Sequence, residues 1–234
     1  HRITTEDNEE RESDALHHKH EEEMTVNHDS ESEPRWVAWS RQLMSIAQNG
    51  LTYAEDHFDQ ERYTQLRQVA AEIMAEQSDS DHRKVLDLFA GDFGYATPKV
   101  DVRGVVFRDD RILLVKERAD GLWTLPGGWA DVNESPKEAV VREVMEESGY
   151  DTRAEKLLAV WDRAKHPHTP PFPYHVYKIF VLCEIIGGEA ASGEETEDVG
   201  FFAAYGLPNL SISRVTPGQI ARLVEHFAEV DEQL

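Results

Sequence analysis

From Arg35 to about Asp92, apolar residues return every three or four positions, the spacing of helices that bury one face. Trp36, Trp39, Leu43, Ile46 and Ala47 form a first stripe, which Asn49-Gly50 is expected to stop. Asp59 is placed to cap a second helix carrying Tyr63, Leu66, Val69, Ala70, Ile73 and Met74. Ser80 or Asp81 is placed to start a third with Val85, Leu88 and Phe89. Beyond Pro98-Lys99 the pattern changes to short, dense apolar runs. Val100 to Phe107 reads as a strand, Arg108-Asp109-Asp110 as a hairpin turn, and Ile112 to Lys116 as its partner. Leu157–Trp161, His175–Ile186 and Val199–Phe202 read as further strands. A last helix runs from Thr216 to Val230, with Pro217 at its first position and Ile220, Leu223, Val224 and Phe227 as its stripe. The first 34 residues are almost without large apolar side chains and are expected to be disordered. Within them, Met24 is a candidate natural start, and His17, His18 and His20 read as a solvated tail rather than a metal site. The expected organisation is a tail (1–34), a helical unit (35–97) and an α+β domain (98–234).

The stretch Gly127 to Tyr150 carries the chemistry. Ser135 suits an N-cap, Pro136 the first helical position, Glu138 the carboxylate of a capping box, and Gly149 the C-terminal stop. On this helix Val140, Val141, Val144 and Met145 share a flank expected to face a core. Glu143, Glu146 and Glu147 share another, and Arg142 lies one turn before Glu146. Three carboxylates on one arc repel one another unless a cation neutralises them. Hard oxygen ligands suit Mg²⁺, with Mn²⁺ a second choice. The plain alternative is an acidic helix face in water.

Taken with the loop before it, the helix is more specific. Gly128, five residues, Glu134, seven residues, then Arg142-Glu143-Val144-x-Glu146-Glu147-x-Gly149-Tyr150 resembles the signature of the Nudix hydrolases, with Tyr150 where an aliphatic residue is commoner. The resemblance implies an α/β/α sandwich with a mixed sheet and a metal-dependent hydrolase of nucleoside diphosphates linked to another moiety. It also implies metal ligation by the carbonyl of Gly127 and the carboxylates of Glu146 and Glu147. Glu143 would be a ligand or the base, Arg142 an orienting partner, and Gly128, Glu134 and Gly149 supporting residues. Catalysis would rest on Glu143, Arg142 and Glu146. A further carboxylate is expected from the loop Glu194–Asp198, with Glu195 the choice.

The helical segment resembles the N-terminal domain of one Nudix subgroup, through Trp36-x-x-Trp39, Gly50-Leu51-Thr52-Tyr53 and Phe58-Asp59-x-Glu61-Arg62-Tyr63. The run Asp162-Arg163-x-Lys165-His166-Pro167-His168 points the same way, and Arg163, Lys165 and His166 become candidates for contact with substrate. That subgroup implies CDP-choline as the leading substrate, ADP-ribose as the alternative, and a homodimer. Trp36, Trp39, Tyr53 and Phe172 are, by type, candidates to face a choline group.

The net charge is −22, from 46 acidic and 24 basic residues, which argues against nucleic acid or anionic membrane as a partner and leaves a small nucleotide. No run approaches a membrane span, the N-terminus has no signal-peptide pattern, and the expected location is the cytoplasm. The single cysteine, Cys183, sits in the run Ile179–Cys183 and reads as a buried strand residue. A non-catalytic nucleotide sensor on the same scaffold is the competing class, disfavoured because its glutamates would not need to be retained.

Overall fold

The computed structural model describes residues 33–231, so the tail through residue 32 lies outside the described residues. Three helices come first: α1 (Arg35–Tyr53), α2 (His57–Ser78) and α3 (His82–Ala90). Asn49-Gly50 does not stop α1. Gly50 instead admits the ring of Tyr63, whose atoms would lie 2.4 Å from a Cβ at that position. Asp56, not Asp59, caps α2, its Oδ1 accepting the N–H groups of Phe58 (2.9 Å) and Asp59 (3.2 Å). Asp81 caps α3.

The buried face of α1 is Val37, Ser40, Met44 and Ala47, set against Ala70, Ala71, Met74 and Ala75 of α2. Small side chains let the two helices approach, and Ser40 Oγ donates to Ala70 O at 2.7 Å. Of the expected stripe, Ala47 is buried and Trp36 and Leu43 pack against this core, but Trp39 (50%) and Ile46 (45%) turn outward, and Tyr53 is exposed with them.

The rest is two sheets between two helices. One sheet has the order β1 (Lys99–Val105), β6 (Val176–Gly188), β5 (Tyr150–Asp162), with β1 parallel and β5 antiparallel to β6. In the other, β3 (Arg111–Glu117) pairs antiparallel with β7 (Thr196–Ala203) on one edge and with β2 (Phe107–Arg108) and β4 (Trp123–Thr124) on the other. Asp109 and Asp110 both take positive φ, as a two-residue hairpin turn requires. Strands β1 and β3 are covered on both faces. Val102, Leu113, Val181 and Cys183 meet helix α4 (Pro136–Ser148) through Ala139, Val140 and Val144. Val105, Ile112, Leu114 and Phe180 meet helix α5 (Pro217–Asp231) through Ile220 and Leu223. This is the expected α/β/α sandwich. Such two-sided burial is why these strands read as continuous apolar runs.

Met145 departs from its expected place. It is exposed, because the buried arc of α4 is centred on Val140 and Val144 and runs on to Glu143 and Glu147. Gly104 of β1 lets α4 lie close, since a Cβ there would sit 2.3 Å from Val144 Cγ2. Among the described residues no helix is long and apolar enough to cross a membrane.

Candidate active site

Helix α4 is held at both ends. Ser135 and Glu138 form a capping box, Pro136 opens the helix, and Gly149 closes it in the left-handed conformation. The loop before it runs along β1: Gly104 N–H donates to Pro126 O and Val102 N–H to Gly128 O, each at 2.8 Å. Gly127 has φ +142°, and a Cβ there would lie 2.0 Å from Val102 O, so only glycine fits. A Cβ on Gly128 would press on the Glu143 carboxylate at 2.9 Å.

These constraints bring the glutamates to one cleft of about 1140 Å³. Its lining includes Gly127, Gly128, Glu143, Glu146, Glu147 and Glu195. The Glu147 carboxylate is buried and accepts the Gly127 N–H at 2.8 Å. Burial pushes it up to about 8, outweighing the charge of Arg103 and that hydrogen bond. Burial also raises Glu143, against the charge of Arg142. Arg142 gathers the neighbouring carboxylates. Its Nε and Nη2 hold both oxygens of Glu134 (2.8 and 3.0 Å), and Nη1 bridges Glu143 and Glu146 at 2.9 Å each. Gly193 N–H and Thr196 Oγ1 (2.8 Å), then Thr196 Oγ1 and Glu147 O (2.8 Å), tie the loop carrying Glu195 to the end of α4.

Among the described residues no three His, Cys, Asp or Glu side chains are gathered closely enough to enclose a metal. The chemistry of the donors nonetheless fits a hard divalent cation. Glu143 and Glu147 are dehydrated carboxylates at a cleft floor, with a backbone carbonyl and exposed Glu146 and Glu195 on the same lining. A cation relieves the charge that burial disfavours.

A second charged layer is unmarked by any motif. Asp101 and Arg103 of β1, Lys178 of β6 and Glu117 of β3 are all buried and line the cleft. Asp101 Oδ1 accepts from Lys178 Nζ (2.6 Å) and Arg103 Nε (3.0 Å), and its Oδ2 from Arg103 Nη2 (2.8 Å). Burial opposes the charge on Asp101, but the two cations outweigh it and hold the carboxyl at about 2. Burial brings Lys178 down to about 8. Glu117 pairs with Arg214 at 3.0 Å. The available signal was strand spacing, which puts residues 101 and 103 on one face.

Of the three expected substrate contacts, Arg163 lines the cleft, whereas Lys165 is exposed and His166 packs on Trp161 at 5.1 Å, neither on the lining. Buried His168 donates its Nδ1–H to Ile212 O at 2.8 Å and is pushed by burial down to about 3, so it is neutral. Among the four aromatic candidates Phe172 lines the cleft, while Trp36 packs on the helical core and Trp39 and Tyr53 face outward. Trp129 joins Phe172, their ring centroids 6.3 Å apart and 28° from parallel.

Comparison with known proteins agrees with this architecture. The profile of the NUDIX domain matches residues 97–214, and a profile described as the UDP-X-like, N-terminal oligomerisation domain matches residues 34–89. A Bacillus subtilis (strain 168) protein, provisionally named an ADP-ribose pyrophosphatase, is 46% identical over 85% of this chain and 95% of its own length. The crystal structure of a UDP-X diphosphatase is 34% identical, with a TM-score of 0.55, over 84% of this chain and 95% of that one. That of an ADP-ribose pyrophosphatase from Streptococcus suis 89-1591 is 45% identical, with a TM-score of 0.50, over 55% of this chain and 91% of that one.

Proposed function

The chain belongs to the Nudix hydrolase family, and from that premise we propose that it cleaves the diphosphate of an ADP-ribose-like substrate, a nucleoside diphosphate linked to a small group. Water adds across the phosphoric anhydride, giving a nucleoside monophosphate and a phosphorylated partner. The observation that carries this reading is the composition of the cleft. Desolvated carboxylates (Glu143, Glu147), cations (Arg163, Lys178) and an aromatic pair (Trp129, Phe172) share it. Such a lining suits a diphosphate, a divalent cation and a planar base together.

The family's members generally use divalent metal ions. Here Gly127 O, Glu143, Glu146, Glu147 and Glu195 would hold Mg²⁺ or Mn²⁺, which when bound neutralises the diphosphate and activates water. Arg142 orients Glu143 and Glu146 through its Nη1, and Glu134 fixes Arg142 in turn. Arg163 and Lys178 add positive charge where the substrate phosphates lie.

Names of similar proteins favour ADP-ribose or a UDP-linked compound over CDP-choline as the first substrate to test. Purified protein with Mg²⁺ should be given ADP-ribose, a UDP-sugar and CDP-choline, and the products weighed by mass spectrometry. AMP with ribose 5-phosphate is expected; absence of turnover on the whole panel, with Mg²⁺ and with Mn²⁺, overturns the reading.

The outward face of α1 supports a homodimer. Trp39, Ile46 and Tyr53 fall at heptad spacing on one exposed stripe, and the matched profile is described as an oligomerisation domain. Trp39→Glu with Ile46→Glu should convert the dimer to monomer in light scattering after size exclusion. An unchanged mass would place any interface elsewhere.

A further inference from the structure

The wall of the cleft opposite in sequence to the signature is the loop 170–174, through Pro170 and Phe172. Pro170, Pro171 and Pro173 have no N–H, so this backbone cannot brace itself by a ladder of its own. Two arginines brace it instead. Arg163 Nη2 donates to Pro170 O at 3.0 Å, and its guanidinium lies 5.2 Å from the centroid of the Phe172 ring. Arg41, from α1 of the helical unit, donates through Nη1 to Phe172 O (3.4 Å) and Tyr174 O (3.2 Å). The carbonyls of residues 170, 172 and 174 are thus all held by guanidinium groups. Glu33 pairs with the partly buried Arg41 and stands near enough to Arg163 to feel its charge. Tyr174 is also tied to the helical unit, its Oη donating to Leu88 O at 3.4 Å.

We infer that Arg41 is a positioning residue for substrate binding: it fixes the backbone of Phe172, so that the Phe172–Trp129 aromatic surface is preformed before a nucleotide arrives. The helical unit therefore sets the affinity of the cleft as well as carrying the outward apolar stripe. This rests on the reading of the cleft as a nucleotide site. Arg41 touches none of the glutamates, so its loss should weaken binding and spare the chemical step.

The test compares the full chain with Arg41→Ala and Arg41→Lys, on whichever panel substrate turns over. Arg41→Ala should raise KM roughly tenfold with kcat changed less than about twofold, and Arg41→Lys should recover part of the loss. Trp fluorescence during titration with ADP, without metal, should show the same order of affinities, and light scattering should show the same mass for all three. A wild-type KM in folded Arg41→Ala overturns the inference, as does a fall in kcat at constant KM. Should Arg41→Ala fail to fold, Arg41→Lys decides, with a raised KM in support and a wild-type KM against. If the wild type turns over nothing, the functional reading fails by itself, and the ADP titration still decides for or against Arg41.

Discussion

Replacing Glu147 by Gln should abolish most turnover while making the metal-free protein more stable. The two effects share one cause. The Glu147 carboxyl is buried against Gly127 N–H, and burial pushes it up to about 8 from its usual 4.5. A carboxyl raised in the folded state favours folding below its unfolded value and loses that advantage as pH rises from 4.5 towards 8. At neutral pH without metal the wild type therefore carries a penalty of a few kcal/mol. Gln is nearly isosteric, keeps an oxygen to accept from Gly127, and titrates at no pH. In EDTA at pH 7 to 8 the Glu147→Gln variant should melt above the wild type. With Mg²⁺ the order should close or reverse, because a cation that binds only the folded wild type stabilises it by mass action. Activity should fall by roughly 10³-fold, the scale of losing a ligand or base that acts in the transition state. Melting curves with and without Mg²⁺, alongside kcat, check both halves. Wild-type turnover in the variant would sink the metal assignment. A lower melting point in EDTA would instead mean that the carboxylate is paired more favourably than its burial indicates.

That site was legible because its residues are adjacent in the chain. A loop and one helix hold Gly127, Glu134, Arg142, Glu143, Glu146 and Glu147, and helical periodicity sorts them without knowledge of the fold. Capping residues marked both ends of α4 for the same reason. The spacing put Arg142 one turn before Glu146, where the two do pair, but did not give its hold on Glu134 and Glu143. Nor did it separate the buried Glu147 from the exposed Glu146, a difference set by how α4 sits on β1 and β6. Helix stripes failed where small residues chose the seam. In α1 Trp39 and Ile46 were expected inside, but Ala70, Ala71 and Ala75 of α2 draw Ser40 and Met44 inward in their place. The first half of β5 was missed because Tyr150, Thr152 and Ala154 alternate with Asp151, Arg153 and Glu155 and offer little apolar bulk. The charged layer behind the cleft was the least legible part, because its members come from three strands and meet only when β1 and β6 align in parallel register, Asp101 beside Lys178.

That layer makes Asp101→Asn a strongly disruptive change to the fold. Asp101 is the anion between Arg103 and Lys178, and all three are buried, at 5%, 4% and 2% exposure. Asparagine keeps the shape but removes the charge, leaving two cations out of water beside each other. Breaking a buried pair in this way costs about 3–5 kcal/mol, since the surviving charges keep their desolvation penalty. For a domain of this size that is a fall of roughly 10 °C in Tm. The pH dependence gives the test a second reading. Asp101 is held at about 2, below its ordinary 3.8, so its contribution is complete above pH 4 and is lost as pH falls towards 2. The stability of the wild type should therefore decline along that acid limb, and the decline should be shallower in Asp101→Asn. Replacing Lys178 by Met as well should restore part of the stability, because it removes one of the two stranded cations and leaves an apolar side chain of similar length. Urea denaturation of the three proteins from pH 2 to pH 8 measures this directly. A double variant no more stable than Asp101→Asn would show that the loss comes from Arg103 alone, whose Nη1 also holds Leu125 O at 3.0 Å beside the Gly127 loop.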